Sequence, residues 1–313
     1  MLDISIILVN WNSGPMILTC LKRIFSELNS VRGECIVIDN ASENGDRELL
    51  RREFPKLEVI ANTSNLGFAK AVNQGIVRSR GRYLLLINPD AFLSPGTIAS
   101  VVTFLDSRPE VGILGPRVLN PDGSVQGSAR AFPQFATALF GRTSLISRLF
   151  PGNGLTRRQV LGQDRKLRRP LAVDWVSGAA MFVRRDVFEE VGLLDDRFFL
   201  FWEDADICWR AHKQGWPVIY YPEVSVTHLI GACSRHAPVR SLAAFHRSAF
   251  RLYTIHVTRS GFHPLNLVAA AGLSFHFVGT LVWRGLRWLA RPLTSVRRNT
   301  SPPLDQSINE QLF

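Results

Sequence analysis

The sequence predicts an α/β protein with a mostly parallel sheet flanked by helices. Three observations carry that expectation. Apolar runs alternate with helical patterns in four successive units over the first 107 residues. The first run, Ile4 to Val9, is continuously apolar and rich in β-branched residues, as in a strand buried on both faces. The runs end in polar residues, and in sheets built this way ligands bind outside the carboxyl ends of the strands.

The units read in order as follows. Ile4–Val9 leads through the turn Asn12-Ser13-Gly14-Pro15 into a helical pattern carrying Ile17, Leu18, Leu21, Ile24, Phe25 and Leu28. Cys35–Ile38 ends in Asp39-Asn40-Ala41-Ser42 and is followed by a polar helix. Leu57–Ile60 ends in Asn62 to Asn65, and a helix is expected from about Leu66 to Ser79. Tyr83–Ile87 ends in Asn88-Pro89-Asp90, with a helix from about Pro95 to Ser107. Right-handed crossovers join such units. From Phe132 to Pro170 the pattern gives way to Gly, Pro and basic residues, read as a mobile basic excursion across the site or as a solvated loop. Order resumes with strand-like residues around the small-residue turn in Val173–Val183. A helix over Glu203–Gln214 follows, then strands over Val218–Tyr221 and Val224–His228.

With 313 residues and 46% hydrophobic content, the chain can bury one large core, with or without an appendage. The opening Met1-Leu2-Asp3 has no basic, apolar leader, so a secretory signal is not expected. Cys20, Cys35, Cys208 and Cys233 form no C-x-x-C pair, which argues against a zinc knuckle or disulfide framework and fits a reducing cytoplasm. The net charge of +11 is uneven: no Asp or Glu lies between Glu223 and Asp305, where ten arginines fall. That segment calls for an acidic partner surface.

The chemistry centres on Phe198–Arg210, in which Glu203, Asp204 and Asp206 follow a run of large apolar side chains. Carboxylates at an apolar wall have shifted pKa values; acidic residues also favour any helix N-terminus. No G-x-G-x-x-G follows the first strand and no P-loop occurs. The strand ends instead supply Asn10, Asp39, which can accept from a base or ribose, and Asp90, a hard oxygen ligand for Mg²⁺ or Mn²⁺ with His228 as imidazole partner. Asp90 also suits a helix cap, and His228 a satisfied surface position.

Six motifs in order, DNAS (39–42), NLGFAKAVNQG (65–75), LLLINPDAFL (84–93), GPRVLNPDGSVQ (115–126), WVSGAAMFVRR (175–185) and FFLFWEDADICWR (198–210), resemble the family 2 glycosyltransferases of the GT-A fold, most of all rhamnosyltransferase-type members that build lipid-linked cell-surface polysaccharides. The resemblance covers about residues 3–230. It implies a GT-A domain over 1–230 and a helical, basic and apolar extension over 231–313. It further implies that Asp39 reads the base of a nucleotide sugar beside the backbone near Val9 to Trp11. Asn65, Gly67 and Asn73 would frame the ribose and diphosphate. Asp90 would be the second acid of a D-x-D metal motif whose first position is Asn88, and His228 would complete the metal shell. Asp204 would be the general base, with Glu203 and Asp206 supporting. Trp175, Gly178 and Trp202 would lie on the acceptor side, although core packing explains both tryptophans equally well.

In the extension, Leu265–Trp283 is nearly uncharged and about long enough to span a bilayer, yet Asn266, Ser274, His276 and Thr280 interrupt it. Beyond it, Arg284, Arg287 and Arg291 share one helical face near Trp283, Leu286 and Leu289, the composition of a helix lying at a lipid interface. The resemblance implies a nucleotide-sugar donor and a lipid-linked or glycan acceptor as partners; the extension adds anionic lipids at the inner face of the plasma membrane, without nucleic acid. The resemblance implies an inverting glycosyltransferase that moves rhamnose from dTDP-rhamnose onto that acceptor, with two alternatives: the same enzyme using a UDP-hexose or UDP-galactofuranose donor, and a membrane-recruited sugar-nucleotide-binding protein without catalysis.

Overall fold

The computed structural model describes residues 2–132, 167–229 and 237–289, with side chains to Leu286. The basic excursion expected at 132–170 falls largely on 133–166, outside the described residues, as do Cys233, Arg235 and everything from residue 290 on. The side chains of Arg287 and Leu289 are likewise outside them.

The four predicted units are present. β1 (Leu2–Asn10), α1 (Met16–Leu28), β2 (Gly33–Asp39), α2 (Asp46–Glu53), β3 (Glu58–Ala61), α3 (Phe68–Arg78) and β4 (Gly81–Ile87) follow one another, then a short β5 (Ala91–Leu93) and α4 (Thr97–Ser107). β3, β2, β1 and β4 pair in parallel in that order. Alternate residues of β1 enter opposite cores: Ile7 and Val9 face α3, whereas Ile6 and Leu8 face α1 and α4.

The second half of the sheet departs from the parallel order of the first. β6 (Ile113–Leu119) and β11 (Val218–His228) are parallel neighbours, but β10 (Ala180–Arg184) is inserted antiparallel between β4 and β6. The sheet is therefore mixed. The two strands expected over 218–228 are one strand, with the register shifting between Tyr221 and Ser225. Short pairings add β7 (Ala129–Arg130), β8 (Leu171–Ala172) and β9 (Trp175–Val176), and α5 (Arg185–Val191) continues from β10.

α6 (Glu203–Lys213) matches the predicted helix. The extension forms α7 (Pro238–Leu252), a π-helical turn (Tyr253–Thr258) and α8 (Leu265–Leu289). α7 and the π-helical turn pack on the α6 side of the domain, where Leu252 joins the core that contains Phe198 and Ile207. α8 turns most of its large apolar side chains outward: Leu267, Val268, Phe275, Val278, Val282 and Leu286 are all exposed.

Candidate active site

The parallel strands end on one rim, and three pairings bring distant segments to it. β5 pairs with the end of β11, placing His228 opposite Ala91 and next to Asp90. β10 runs back from the end of β4, so the turn Gly178-Ala179 lies beside Asn88, whose N–H donates to the Ala179 carbonyl (3.0 Å). The Gly178 N–H in turn donates to Asp204 Oδ2 (2.8 Å). Asp90 and Asp204, 114 positions apart in sequence, are thus joined through one short turn.

The three carboxylates of α6 have different surroundings. Asp206 is buried, its Oδ1 accepting from His256 Nε2 (2.7 Å) and its Oδ2 from Arg210 Nε (2.9 Å). Glu203 is also buried, and its Oε2 has no hydrogen-bond partner among the described residues. Asp204 alone is partly exposed. It accepts from the Gly178 and Ala205 N–H groups, both at 2.8 Å.

Burial pushes the Glu203 carboxyl well above the usual range, and the neighbouring Asp204 carboxylate pushes the same way. Burial also raises Asp204, while the Gly178 and Ala205 N–H groups and the Arg130 guanidinium oppose the rise. The proton of the pair therefore belongs on Glu203, whose Oε2 has no partner among the described residues, and the charge on Asp204, both of whose oxygens accept from N–H groups. A carboxyl raised on folding contributes stability below its unfolded value, about 4.3, that is lost as pH rises through the folded value. Glu203→Gln is thus expected to raise Tm at pH 8, by about 2 °C for each kcal/mol recovered in a chain of this size. Thermal denaturation at pH 4 and pH 8 should show the gain only at the higher value.

At the other end of the turn, Asp90 Oδ1 is buried without a hydrogen-bond partner among the described residues and faces His228 Nε2 at 3.3 Å. Gln126 sets the tautomer of that imidazole. Its Nε2 donates to the Leu119 and His228 carbonyls (3.2 and 2.8 Å), which leaves Oε1 to accept from His228 Nδ1 (3.1 Å). With the proton on Nδ1, the Nε2 lone pair points toward a carboxylate oxygen. Two such acceptors need a cation or a proton between them. Cis ligands of an octahedral ion with bonds of about 2.1 Å lie about 3 Å apart, so the pair fits an Mg²⁺-like ion, with the remaining positions left to substrate and water. Among the described residues no cluster of three or more such side chains could hold a metal by itself.

At the ends of β1 and β2, Asp39 is fully buried. Asn10 Nδ2 donates to its Oδ1 (3.1 Å), and the Arg47 guanidinium donates to its Oδ2 (2.8 Å). Asn65 Oδ1 accepts from Asn40 Nδ2 and the Gly67 N–H, both at 3.0 Å. Gly67 lies at φ +87°, and a Cβ there would stand 2.7 Å from the Phe199 carbonyl oxygen, which accepts from the Phe68 N–H. That close approach seats the loop leading into α6 against α3.

Several residues expected at ligands are instead committed internally. Both amide atoms of Asn73 pair with the Leu194 backbone (2.8 and 3.1 Å). Asp206 faces away from the cleft. Trp175 is 6% exposed and donates to the Ala131 carbonyl, with its ring beneath Arg130. Trp202 stays partly exposed. Sequence reasoning missed Asn40, Arg47, Gln126 and His256. Asn40 and Gln126 lie inside quoted motifs, whereas nothing near Arg47 or His256 marks them.

This geometry agrees with what known proteins show. The sequence matches the family model described as glycosyl transferase family 2 over residues 5–192. Over 261 residues it is 29% identical to the N-acetylglucosaminyl-diphospho-decaprenol L-rhamnosyltransferase of Mycobacterium tuberculosis, covering 79% of this chain and 82% of that one. It is 22% identical over 229 residues to the dTDP-rhamnosyl transferase RfbF of Shigella flexneri, covering 71% and 70%. Among solved structures, the mannosyltransferase PcManGT of Pyrobaculum calidifontis, in complex with GDP-Man and Mn²⁺, aligns with a TM-score of 0.52 and 18% identity over 93% of this chain and 84% of that one. The likeness in structure shows the GT-A arrangement alone. The family match spans more than half of the chain and takes in the strand-end motifs, from DNAS to the Gly178 turn, so the protein belongs to glycosyl transferase family 2 and is a glycosyltransferase.

Proposed function

We propose that the protein is an inverting, metal-dependent rhamnosyltransferase of cell-envelope glycan synthesis, moving rhamnose from dTDP-rhamnose onto a lipid-linked or polysaccharide acceptor. The observation that carries the mechanism is the Gly178-Ala179 turn, which joins the one partly exposed carboxylate of α6 to the Asp90 strand end. The names of the Mycobacterium and Shigella relatives support rhamnose as the sugar.

The donor lies along the rim, with its base toward Asn10 and Asp39 and its diphosphate toward Asn65, Gly67, Asn88 and Asp90. Asp90 and His228 would hold the divalent ion, Mg²⁺ or Mn²⁺; when bound, it neutralises charge developing on the leaving nucleoside diphosphate. Asp204 takes the proton from the acceptor hydroxyl as that oxygen attacks C1. The base acts on the face opposite the leaving group, so the anomeric configuration inverts in a single displacement, as in inverting glycoside hydrolysis with a sugar hydroxyl in place of water. Glu203, kept protonated, leaves Asp204 to carry the charge. Trp202 and Gly178 border the acceptor.

The same reading places the protein in the cytoplasm, peripheral at the inner face of the plasma membrane. Residues Leu265–Leu286 have a mean hydropathy of 1.7 and are only 6% buried. By length and composition this stretch could cross a membrane. It is held on its other side, however, by His276 Nδ1 against His246 Nε2 (2.8 Å), which favours lying along the surface. The flanking arginines complement anionic headgroups.

The test is a transfer assay with full-length protein, Mg²⁺ and an N-acetylglucosaminyl polyprenyl diphosphate in anionic vesicles. dTDP-rhamnose is expected to give a product heavier by one deoxyhexose with inverted anomeric configuration. Transfer from UDP-galactose or UDP-galactofuranose alone would replace the donor assignment. Donor binding without transfer from any of them would favour the non-catalytic alternative.

A further inference from the structure

We propose that His256, in the extension, is a positioning residue for transfer. Through Asp206 it fixes the orientation of the helix that presents Asp204, so the extension completes the active site as well as attaching the enzyme. The inference rests on Asp204 being the base.

Two residues apart on a helix with about 100° per residue, Asp204 and Asp206 point to nearly opposite sides of α6. Asp204 is held on the cleft side by Gly178. Asp206 is held on the far side by His256, 50 positions along the chain and 3% exposed. The partners assign the tautomer. Lys213 Nζ, which can only donate, lies 3.3 Å from His256 Nδ1, so Nε2 carries the proton given to Asp206 Oδ1 at 2.7 Å. The imidazole also stacks on Trp209 of α6, with centroids 4.7 Å apart and planes 15° apart.

α7 acts on the same helix from its start. Ser248 Oγ donates to the Leu200 carbonyl (2.9 Å), and the Phe245 ring packs on Phe201 and Trp202 (5.8 and 5.5 Å between centroids). Phe201 and Trp202 have φ of 68° and 71°, in the left-handed region that strains a non-glycine residue. The extension thus presses on the strained turn that launches α6 and clamps the face of α6 opposite the base. The path from π-helical turn to base is short: His256, Asp206, about half a helical turn, Asp204.

The experiment compares full-length His256→Phe, His256→Gln and His256→Ala. Phe keeps a ring on Trp209 but has no donor; Gln restores an N–H near Nε2. Phe and Ala are expected to lower kcat by about 100-fold, the scale of an ångström-sized misplacement, with KM for the donor within about 2-fold. Gln should recover most of that loss. Hydrogen exchange, which needs no substrate, should show faster exchange over Glu203–Lys213 in the Phe variant while β1 and β4 stay protected. Wild-type kcat and unchanged exchange in the Phe variant would overturn the proposal. So would a loss that Gln shares in full, since packing alone would then explain it. If the wild-type enzyme transfers nothing, the functional reading fails, and the exchange measurement still decides whether His256 orders α6.

Discussion

Asp204→Asn is expected to lower kcat by about 10³-fold or more while donor affinity stays within about 2-fold of wild type. A general base at a sugar hydroxyl contributes about 10² to 10⁴, and the amide cannot take the proton. The substitution is nearly isosteric, but Oδ2 accepts from the Gly178 N–H and Oδ1 from the Ala205 N–H, so the amide keeps an acceptor for one of the two and circular dichroism should accompany the kinetics to show that the fold is retained. The pH profile gives a second reading of the same site. Because burial raises the Asp204 carboxyl, the acid limb of kcat/KM in the wild type should lie above the ordinary Asp value of about 3.9. Activity is lost as pH falls through that raised value. Steady-state kinetics with dTDP-rhamnose, together with nucleotide binding by calorimetry, decide it. An Asn variant with normal turnover would remove Asp204 from the mechanism and leave no partly exposed carboxylate on α6 to replace it.

The second large effect concerns the divalent ion. Chelation is expected to stop transfer and added Mg²⁺ or Mn²⁺ to restore it. Asp90→Ala should weaken metal-dependent donor binding by about 10²-fold or more, since it removes the anionic member of the pair facing His228. Gln126→Ala offers a finer check. That side chain touches neither donor nor ion in this arrangement, yet its Oε1 holds the proton on His228 Nδ1 and keeps Nε2 free to ligate. Loss of such support costs 10- to 100-fold in metal affinity in comparable sites. Mn²⁺ binding followed by electron paramagnetic resonance measures both variants without turnover. Full activity of the wild type in excess chelator would remove the metal role from Asp90 and His228 together.

Much of the fold was legible in the chain. Local periodicity carried β1 to α4, because each strand–helix unit writes its own burial pattern within about thirty residues. The acidic start of α6 was equally visible, since a helix N-terminus and a run of large apolar residues are short-range features. β10 was not: whether Ala180–Arg184 runs parallel or antiparallel depends on what lies between β4 and β6, and no local pattern records that. Asn73 shows the limit for single residues. Its motif suggested a ligand contact, but a loop 121 positions away takes both its amide atoms.

By itself, then, the sequence determined the α/β class, the polar strand-end rim, the family and the short stretch holding the carboxylates, because each is written in contiguous residues. Only the tertiary structure decided how the three carboxylates differ. Asp206 is taken by His256, Glu203 is buried with its Oε2 unpartnered among the described residues, and Asp204 is left facing the cleft. The physical reason is that a carboxylate's protonation and reach depend on its dielectric surroundings and on donors brought from far along the chain, and neither is encoded next to it.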